Sequence, residues 1–522
     1  MEIQDLKINL RKDSFNFGKI NLRDDINNHI ILNGISLRKN KVQNMLLQKR
    51  LKLISEDENN DKEENLLKTS NLVRIFELNE IINHFENKDI YKDKLCLFQC
   101  IYSLNKSSSK DLNYINDIIL SNNIHEELFK ILNKYSNNID YLDRLIIKHG
   151  LLLLNNLFYL NNNPIFKFIL KNNSIGILVK FLYFDDIDIS YQTIDLFILL
   201  ILENEEFKNK LHSLGIFEKI VKMAKKENLR EIYLYDCLNY IHQVILYEIK
   251  NSNSKIENIS SCINVLINLI KNQKDDNLKK ILISLLQISC YFNGVELKFA
   301  QNGFYEIIKD LFKKNKNMKI IILSIQILIN LTNEESFNCN NLISSDLFLI
   351  IIKIFFQDEP NQRIDLITNI CHLFLNLSKF ESFYDWLNNN INVYNKMIYF
   401  LDSLSENASL TILSCFFSFI KNSNSFSKNY ILYNKIYYDK LINLLSKIND
   451  LTLLKSIICI LINQINIIEQ GENINYINSY INFNYLSDII NKLSSPDSKF
   501  SKDKENIVLF VTLKNLVKKY LY

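Results

Sequence analysis

From about Leu66 to Tyr522 the chain repeats one pattern: apolar residues at i, i+3, i+4 and i+7, broken by short loops of Asn, Ser, Lys and Asp. That spacing puts the apolar side chains on one stripe of an α-helix, and the polar loops stop each helix. Two segments recur within the pattern. The first is a glycine opening an amphipathic helix, as in NSIGILVKFLYF, SLGIFEKIVKMA and QNGFYEIIKDLF, whose glycines Gly176, Gly215 and Gly303 stand 39 and 88 residues apart. The second carries an asparagine near the end of an apolar helix: GLLLLNNLFYL, YLYDCLNYI, IQILINLTNEE, CHLFLNLSKF and CILINQIN. Its asparagines, Asn156, Asn239, Asn330, Asn376 and Asn463, are spaced by 83, 91, 46 and 87 residues.

These intervals are one or two multiples of roughly 40–47 residues, the period of armadillo and HEAT repeats. One such repeat cannot bury its apolar stripe alone, so neighbours stack into a superhelix with an extended concave surface. The pattern therefore predicts an all-α, right-handed superhelical solenoid of about eight to ten repeats over residues 72–522. Ahead of it lie two segments of different character. Residues 1–54 form a polar, then basic, N-terminal segment, and residues 55–71 form an acidic linker that begins SEDENNDKEEN.

Ser36 to Lys52, SLRKNKVQNMLLQKRLK, holds six basic residues and no acid: Arg38, Lys39, Lys41, Lys49, Arg50 and Lys52. As a helix it gathers Arg38, Lys41, Lys49 and Lys52 into one arc of roughly 80°, suited to a long acidic groove. The alternative is a solvated amphipathic helix. LRKNK followed by LLQKR resembles the importin-beta-binding segment of the importin alpha family, and the resemblance extends over the repeats and the closing helix NLVKKYLY. It implies a nuclear import adaptor whose partner importin beta is held by Leu37, Arg38, Lys39, Lys41, Leu46, Leu47, Lys49, Arg50 and Lys52. In that family a Trp-Asn pair on the third helix of each repeat grips an extended basic localisation peptide. Indole walls hold lysine stems, and Asn amides clamp the backbone.

Placed on that pattern, Leu152 with Asn156, Asp195 with Leu199, and Tyr235 with Asn239 take the first three pairs. Ile283 with Gln287, Gln326 with Asn330, and His372 with Asn376 follow. The segment near Leu413–Ser418 aligns too poorly to assign. Glu203 falls where the family places an acid beside a lysine pocket. The cargo-binding set implied is Asn156, Glu203, Tyr235, Asn239, Gln287, Asn330, His372 and Asn376. Every tryptophan of the ladder is missing, because Trp386 is the only one in the chain and stands outside the pairs. Losing an indole wall removes roughly 1–2 kcal/mol of grip per site. A second reading therefore stands beside the adaptor: an armadillo scaffold with the same architecture that presents a different groove to a different protein ligand.

Composition narrows the classes further. Eight glycines and three prolines in 522 residues supply little turn chemistry for an all-β or Rossmann protein. A net charge of +4 points neither to a nucleic-acid binder nor to a strongly acidic receptor. Nine scattered cysteines without a CxxC pair read as reduced thiols packed in helices, and the N-terminus has no apolar signal-peptide core. Together these lead to an expectation of cytoplasm and nucleus, with no membrane and no direct nucleic-acid partner. No GxxxxGK[ST], HExxH, GxGxxG or GxSxG occurs, so no enzyme, cofactor or metal is expected. Asp25 with His29 and Glu80 with His84 read as helix-surface pairs. His242 and His372 read as core or groove residues, and Asp185, Asp186 and Asp188 as a solvated loop. Lys222, Lys225 and Lys226, like Lys313, Lys314 and Lys316, read as helix C-terminal charge.

Overall fold

The computed structural model describes residues 76–521 except 88–92, 109–111, 137–139, 159–163, 173, 204, 227–228, 251–255, 272, 335–336, 358–363, 402–404, 423–424, 471–476, 499 and 502–503. The basic segment 36–52, with every residue assigned there to importin beta, lies outside the described residues, as do the run 55–65 and the pair Asp25 and His29. Among the described residues every regular element is a helix. They fall into two compact units that divide between Asn258 and Ile259.

The first unit contains α1 (Leu78–Glu86) and α2 (Lys94–Ser108), then three helix triplets: α3 (Leu112–Ser121), α4 (Ile124–Tyr135) and α5 (Tyr141–Leu157); α6 (Pro164–Lys171), α7 (Ile175–Phe181) and α8 (Ile187–Glu203); α9 (Glu205–Ser213), α10 (Ile216–Ala224) and α11 (Glu231–Lys250). The second opens within α12 (Ile256–Leu269) and continues with α13 (Asp275–Tyr291). Five triplets follow: α14 (Glu296–Gln301), α15 (Phe304–Lys314) and α16 (Met318–Leu331); α17 (Cys339–Ile343), α18 (Asp346–Phe355) and α19 (Ile364–Leu377); α20 (Glu381–Asn388), α21 (Asn392–Phe400) and α22 (Glu406–Asn422); α23 (Ser425–Leu432), α24 (Lys435–Lys447) and α25 (Leu451–Glu469); α26 (Ile477–Tyr480), α27 (Phe483–Leu493) and α28 (Lys504–Leu521).

In each unit the third helix of a triplet packs on the third helix of the next: α2, α5, α8 and α11 form one row, and α13, α16, α19, α22, α25 and α28 the other. The third helices are accordingly apolar almost all round. In α8, Ile194, Leu196, Phe197, Ile198, Leu199 and Leu200 are all buried, because successive faces meet a first helix, a second helix and two third helices. Burying one such side chain is worth about 1.5–3 kcal/mol, so the stack is held mainly by contacts between repeats.

Helix starts explain part of the chain's asparagine content. Asn317, Asn338, Asn434 and Asn482 each accept a backbone N–H two or three residues on, as do Asp140, Ser345 and Asp450. These side chains satisfy donors that the first turn of a helix leaves open. Gly215 and Gly303 open α10 and α15 with φ of 68° and 72°, the left-handed region where a Cβ is strained. Gly176 does not open its helix: it lies inside α7, after the N-cap Ser174. Its φ is not left-handed and a Cβ there would meet nothing within 4 Å.

One ion pair of the first unit has both partners buried. Lys208 of α9 and Glu248 of α11 form an ion pair at 2.7 Å, with residue exposures of 7% and 8%. The Lys208 Nζ also sits 3.4 Å from the centre of the Tyr247 ring. Trp386 lies in α20, half-buried, with its indole edge-on to Phe348 at 4.9 Å and stacked on Phe383 at 6.0 Å. Its role is packing between α18 and α20.

Candidate functional site

Six of the third helices, α5, α13, α16, α19, α22 and α25, leave a stripe uncovered, whereas α8 is buried from Ile189 to Ile201 except at Gln192. On α5 the stripe runs Tyr141, Lys148, Leu152 and Asn156; on α13, Lys279, Ile283 and Gln287; on α16, Lys319, Leu323, Gln326 and Asn330; on α19, Asp365, Thr368, His372 and Asn376. All of these are half-buried or exposed, while most other positions on the same helices are buried. The stripe continues on α22 through Leu410, Ser414 and Ser418, and on α25 through Lys455, Cys459 and Asn463. The repeat that would not align by sequence thus has serines where its neighbours have asparagines.

The asparagines share more than a position. Asn156 Nδ2 donates to Asn105 Oδ1 at 2.9 Å and to Ser108 Oγ at 3.0 Å, both at the end of α2. Asn330 Nδ2 donates to Ser289 Oγ of α13 at 3.1 Å. Asn376 Nδ2 donates to the Ile329 carbonyl at 2.9 Å and to Thr332 Oγ1 at 3.2 Å. In all three the amide reaches back to the C-terminal end of the preceding third helix, where carbonyls and small hydroxyls lack helical donors. The amide nitrogens of Asn156 and Asn376 have only two N–H groups, and both are engaged.

The remaining residues of the sequence-derived set are less uniform. Asn239 is 3% exposed, and its amide nitrogen has no hydrogen-bond partner among the described residues. Tyr235 and Glu203 are half-buried. Leu199 and Asp195 are buried, and one Asp195 oxygen lacks a hydrogen-bond partner among the described residues. Ile283 is 40% exposed. Gln287 is half-buried, with a side-chain oxygen that is buried and unpartnered among the described residues. His372 lies 3.3 Å from Thr411 Oγ1, and burial lowers its pKa to about 4, so at neutral pH it is an uncharged imidazole.

A second ladder, which the periodicity did not reveal, joins the N-terminal halves of the third helices. Lys94 bonds Asp140 at 2.7 Å and Asp143 at 2.8 Å. Lys148 bonds Asp188 at 3.3 Å, and the Tyr233 hydroxyl donates to the same carboxylate. Burial pushes the Asp188 carboxyl up, but the Tyr233 and Lys148 contacts outweigh it and hold the pKa below the usual carboxylate range. Tyr233 stacks on Tyr191 at 4.2 Å. In the second unit Asp275 accepts from Asn315 at 3.2 Å and Asn317 at 2.6 Å, and Glu406 accepts the Asn449 N–H at 2.8 Å.

Asp188 is therefore a cross-repeat staple rather than part of a solvated loop. Asp186 accepts the Asp188 and Ile189 N–H groups and so starts α8. The lone signal in the sequence was an acid near the start of many of the long helices, such as Asp140, Asp188, Asp275 and Glu406.

Glu80 accepts the Glu77 N–H and His84 meets the Phe76 ring edge at 5.2 Å. Lys222, Lys313 and Lys314 lie in the last turns of α10 and α15. Among the described residues no three His, Cys, Asp or Glu side chains group as metal ligands, and no helix is long and apolar enough to cross a membrane. The described residues include all nine cysteines, none in a disulfide.

No family model matches the chain, and no curated protein matches its sequence. Solved structures do resemble it. An engineered protein superposes with a TM-score of 0.57 at 13% identity, over 82% of this chain and 96% of its own. A structure from work on a phosphorylation switch controlling the interaction between cadherin and beta-catenin gives 0.52 at 12% identity, over 81% of this chain and 82% of its own. A designed armadillo repeat protein for modular peptide recognition is 13% identical over 47% of this chain and 99% of its own, at a TM-score of 0.38. With the helix triplets described above, the first two likenesses make the fold an all-α solenoid of the armadillo and HEAT kind.

Proposed function

We propose that this chain is a protein-interaction scaffold that presents the open stripes of its third helices to an extended segment of another protein. The observation that supports it is the recurrence of Ile283, Gln326 and His372 at one place in successive repeats of the second unit, uncovered on helices otherwise buried. An extended chain crossing the helices would meet an equivalent side chain at each step, which is how main-chain regularity is matched by a repeat. The engaged amides of Asn156 and Asn376 and the missing indoles argue for a ligand other than a lysine-rich signal. Selection of random twelve-residue peptides against the full chain tests the reading. Selected peptides should lose binding to an Ile283→Arg, Gln326→Arg double variant that keeps parental helicity. Equal binding by that variant would rule the stripe out.

The finer reading, a nuclear import adaptor working between cytoplasm and nucleus, is favoured by one specific feature: the order LRKNK…LLQKR in residues 37–50. In that reading the basic segment recruits importin beta, and Glu203, Tyr235 and Asn239 take part in holding a basic cargo peptide. Replacing Arg38, Lys39, Lys49 and Arg50 with alanine should then abolish importin beta binding while circular dichroism of the repeats stays unchanged. Undiminished binding by the substituted chain would remove this reading.

A further inference from the structure

The third helices α13, α16, α19, α22 and α25 of the second unit share a middle that carries no charge. Residues 281–291, 320–331, 366–377, 407–420 and 456–468 contain no Asp, Glu, Lys or Arg. Each of these runs keeps at least four side chains half-buried or exposed, so burial alone does not explain the absence in a chain that is 23% charged. Nor does a third helix exclude charge as such. In the first unit Lys148 stands half-buried at the middle of α5, and Asp195 is buried at the middle of α8. The charged residues of the five helices lie at their ends and balance: four acids and four bases near the starts, and Lys421 with Glu469 near the finishes. His372 adds no charge, because burial lowers its pKa to about 4. The uncharged lane mixes aliphatic side chains such as Ile283, Leu323 and Leu410 with amides and hydroxyls such as Gln287, Gln326 and Ser414.

We infer that this lane of the second unit takes an extended, uncharged segment of a partner protein, with aliphatic and amide or hydroxyl side chains and neither acid nor base where it crosses the helices. The inference rests on the scaffold reading above and adds the chemistry of the partner. A carboxylate or ammonium group laid in the lane would give up water and find no counter-charge there. The balanced helix ends offer neither sign a net attraction that would offset the loss. A wholly aliphatic occupant would instead cover the amides of Gln287 and Gln326 without giving them partners. An extended backbone carries an N–H or a carbonyl at every residue, so it serves the amides while its side chains meet the aliphatic positions. Packed helices lie about 8–10 Å apart and an extended chain advances about 3.3 Å per residue, so about every third residue reaches a new helix.

Three rhodamine-labelled probes are titrated with the full chain by fluorescence anisotropy: four copies of Gln-Leu-Asn, and the same peptide with its two central glutamines replaced by glutamate or by lysine. The neutral probe should bind at least about fivefold tighter than either charged probe at 50 mM salt. The order should hold at 300 mM, because the loss is desolvation and not a long-range attraction that salt screens. Gln326→Glu is nearly isosteric, so it should fold; it should tighten the lysine probe about threefold or more and weaken the neutral one. Unchanged binding of both would put the probes elsewhere than the lane and overturn the inference. Equal or tighter binding of either charged probe to the parent chain would overturn it and leave the scaffold reading in place. Where no probe binds, the peptides selected from the random library decide. Acids or bases at library frequency in their central positions overturn the inference, and less than about a third of that frequency supports it. If no peptide is selected, the scaffold reading falls as well. A dimer of the full chain in sedimentation that Ile283→Arg converts to monomer would give the lane to a second copy and overturn the inference too.

Discussion

The ion pair between Lys208 and Glu248 offers a test of how the first unit is held together. Both groups are more than nine-tenths buried, and their 2.7 Å contact joins the first and third helices of one triplet. Replacing Lys208 with methionine keeps most of the stem's packing against Tyr247 but leaves the Glu248 carboxylate buried without its cation. Removing one partner of a buried pair costs about 3–5 kcal/mol, because the remaining charge stays desolvated. Replacing both, Lys208→Met with Glu248→Leu, removes the stranded charge and should return the unit to within roughly 1–2 kcal/mol of the parent. In a unit of about 180 residues, 1 kcal/mol moves the melting temperature by about 2–4 °C. The single variant should therefore melt about 6–20 °C lower and the double variant within a few degrees of the parent. Calorimetry of the three chains, with urea titration as a second measure, reads the difference. If Lys208→Met falls by less than 1 kcal/mol, the pair is hydrated and its burial does not govern the packing of α9 on α11.

Other perturbations have expected signs of their own. Asn376→Ala removes two donors from the Ile329 carbonyl and Thr332 and should destabilise the second unit by about 1–3 kcal/mol in urea, whereas Asn463→Ala, at an exposed position, should change it by less than about 0.5 kcal/mol. His372 has its pKa lowered from 6.5 to about 4, so below pH 6.5 the unfolded chain binds the extra proton and the fold does not. Stability should fall by about 2 kcal/mol between pH 7.5 and 5, a slope that His372→Gln reduces in denaturation series at several pH values. Gly303→Ala puts a Cβ at φ 72° and should cost about 1–2 kcal/mol, while Gly176→Ala inside α7 should stabilise by about 0.5–1 kcal/mol; both are read from thermal melts.

What the sequence could reveal was whatever depends on period. Amphipathic spacing and the 40–47-residue interval located the helices and their stacking, because each apolar stripe must meet a neighbour. The same interval placed Asn156, Asn330 and Asn376 at equivalent points, a match that the structure extends to Ser418. Chemistry set by pairs distant in sequence was not legible. Lys208 and Glu248 stand 40 residues apart, and so do Lys148 and Asp188, with nothing local to mark either as a pair. Three glycines alike by neighbourhood proved to be of two kinds. Gly215 and Gly303 follow a turn that needs a left-handed residue, whereas Ser174 caps α7 and leaves Gly176 an ordinary helical position.

The asparagines show why position alone does not decide a role. A third helix ends with carbonyls that its own backbone cannot satisfy, and the next third helix lies against that end. A short amide on the neighbour, pointing back toward its own N-terminus as helical side chains do, reaches those carbonyls and hydroxyls before it reaches solvent. Once both N–H groups of Asn376 are held by Ile329 and Thr332, gripping a peptide carbonyl would mean breaking a bond of the stack. The net gain from such an exchange is close to nothing, since one neutral hydrogen bond replaces another. Half-covered aliphatic side chains on the same stripe, such as Ile283 and Leu323, have no hydrogen-bonding groups for the stack to hold. The surface available to a ligand is therefore set by residues between the asparagines.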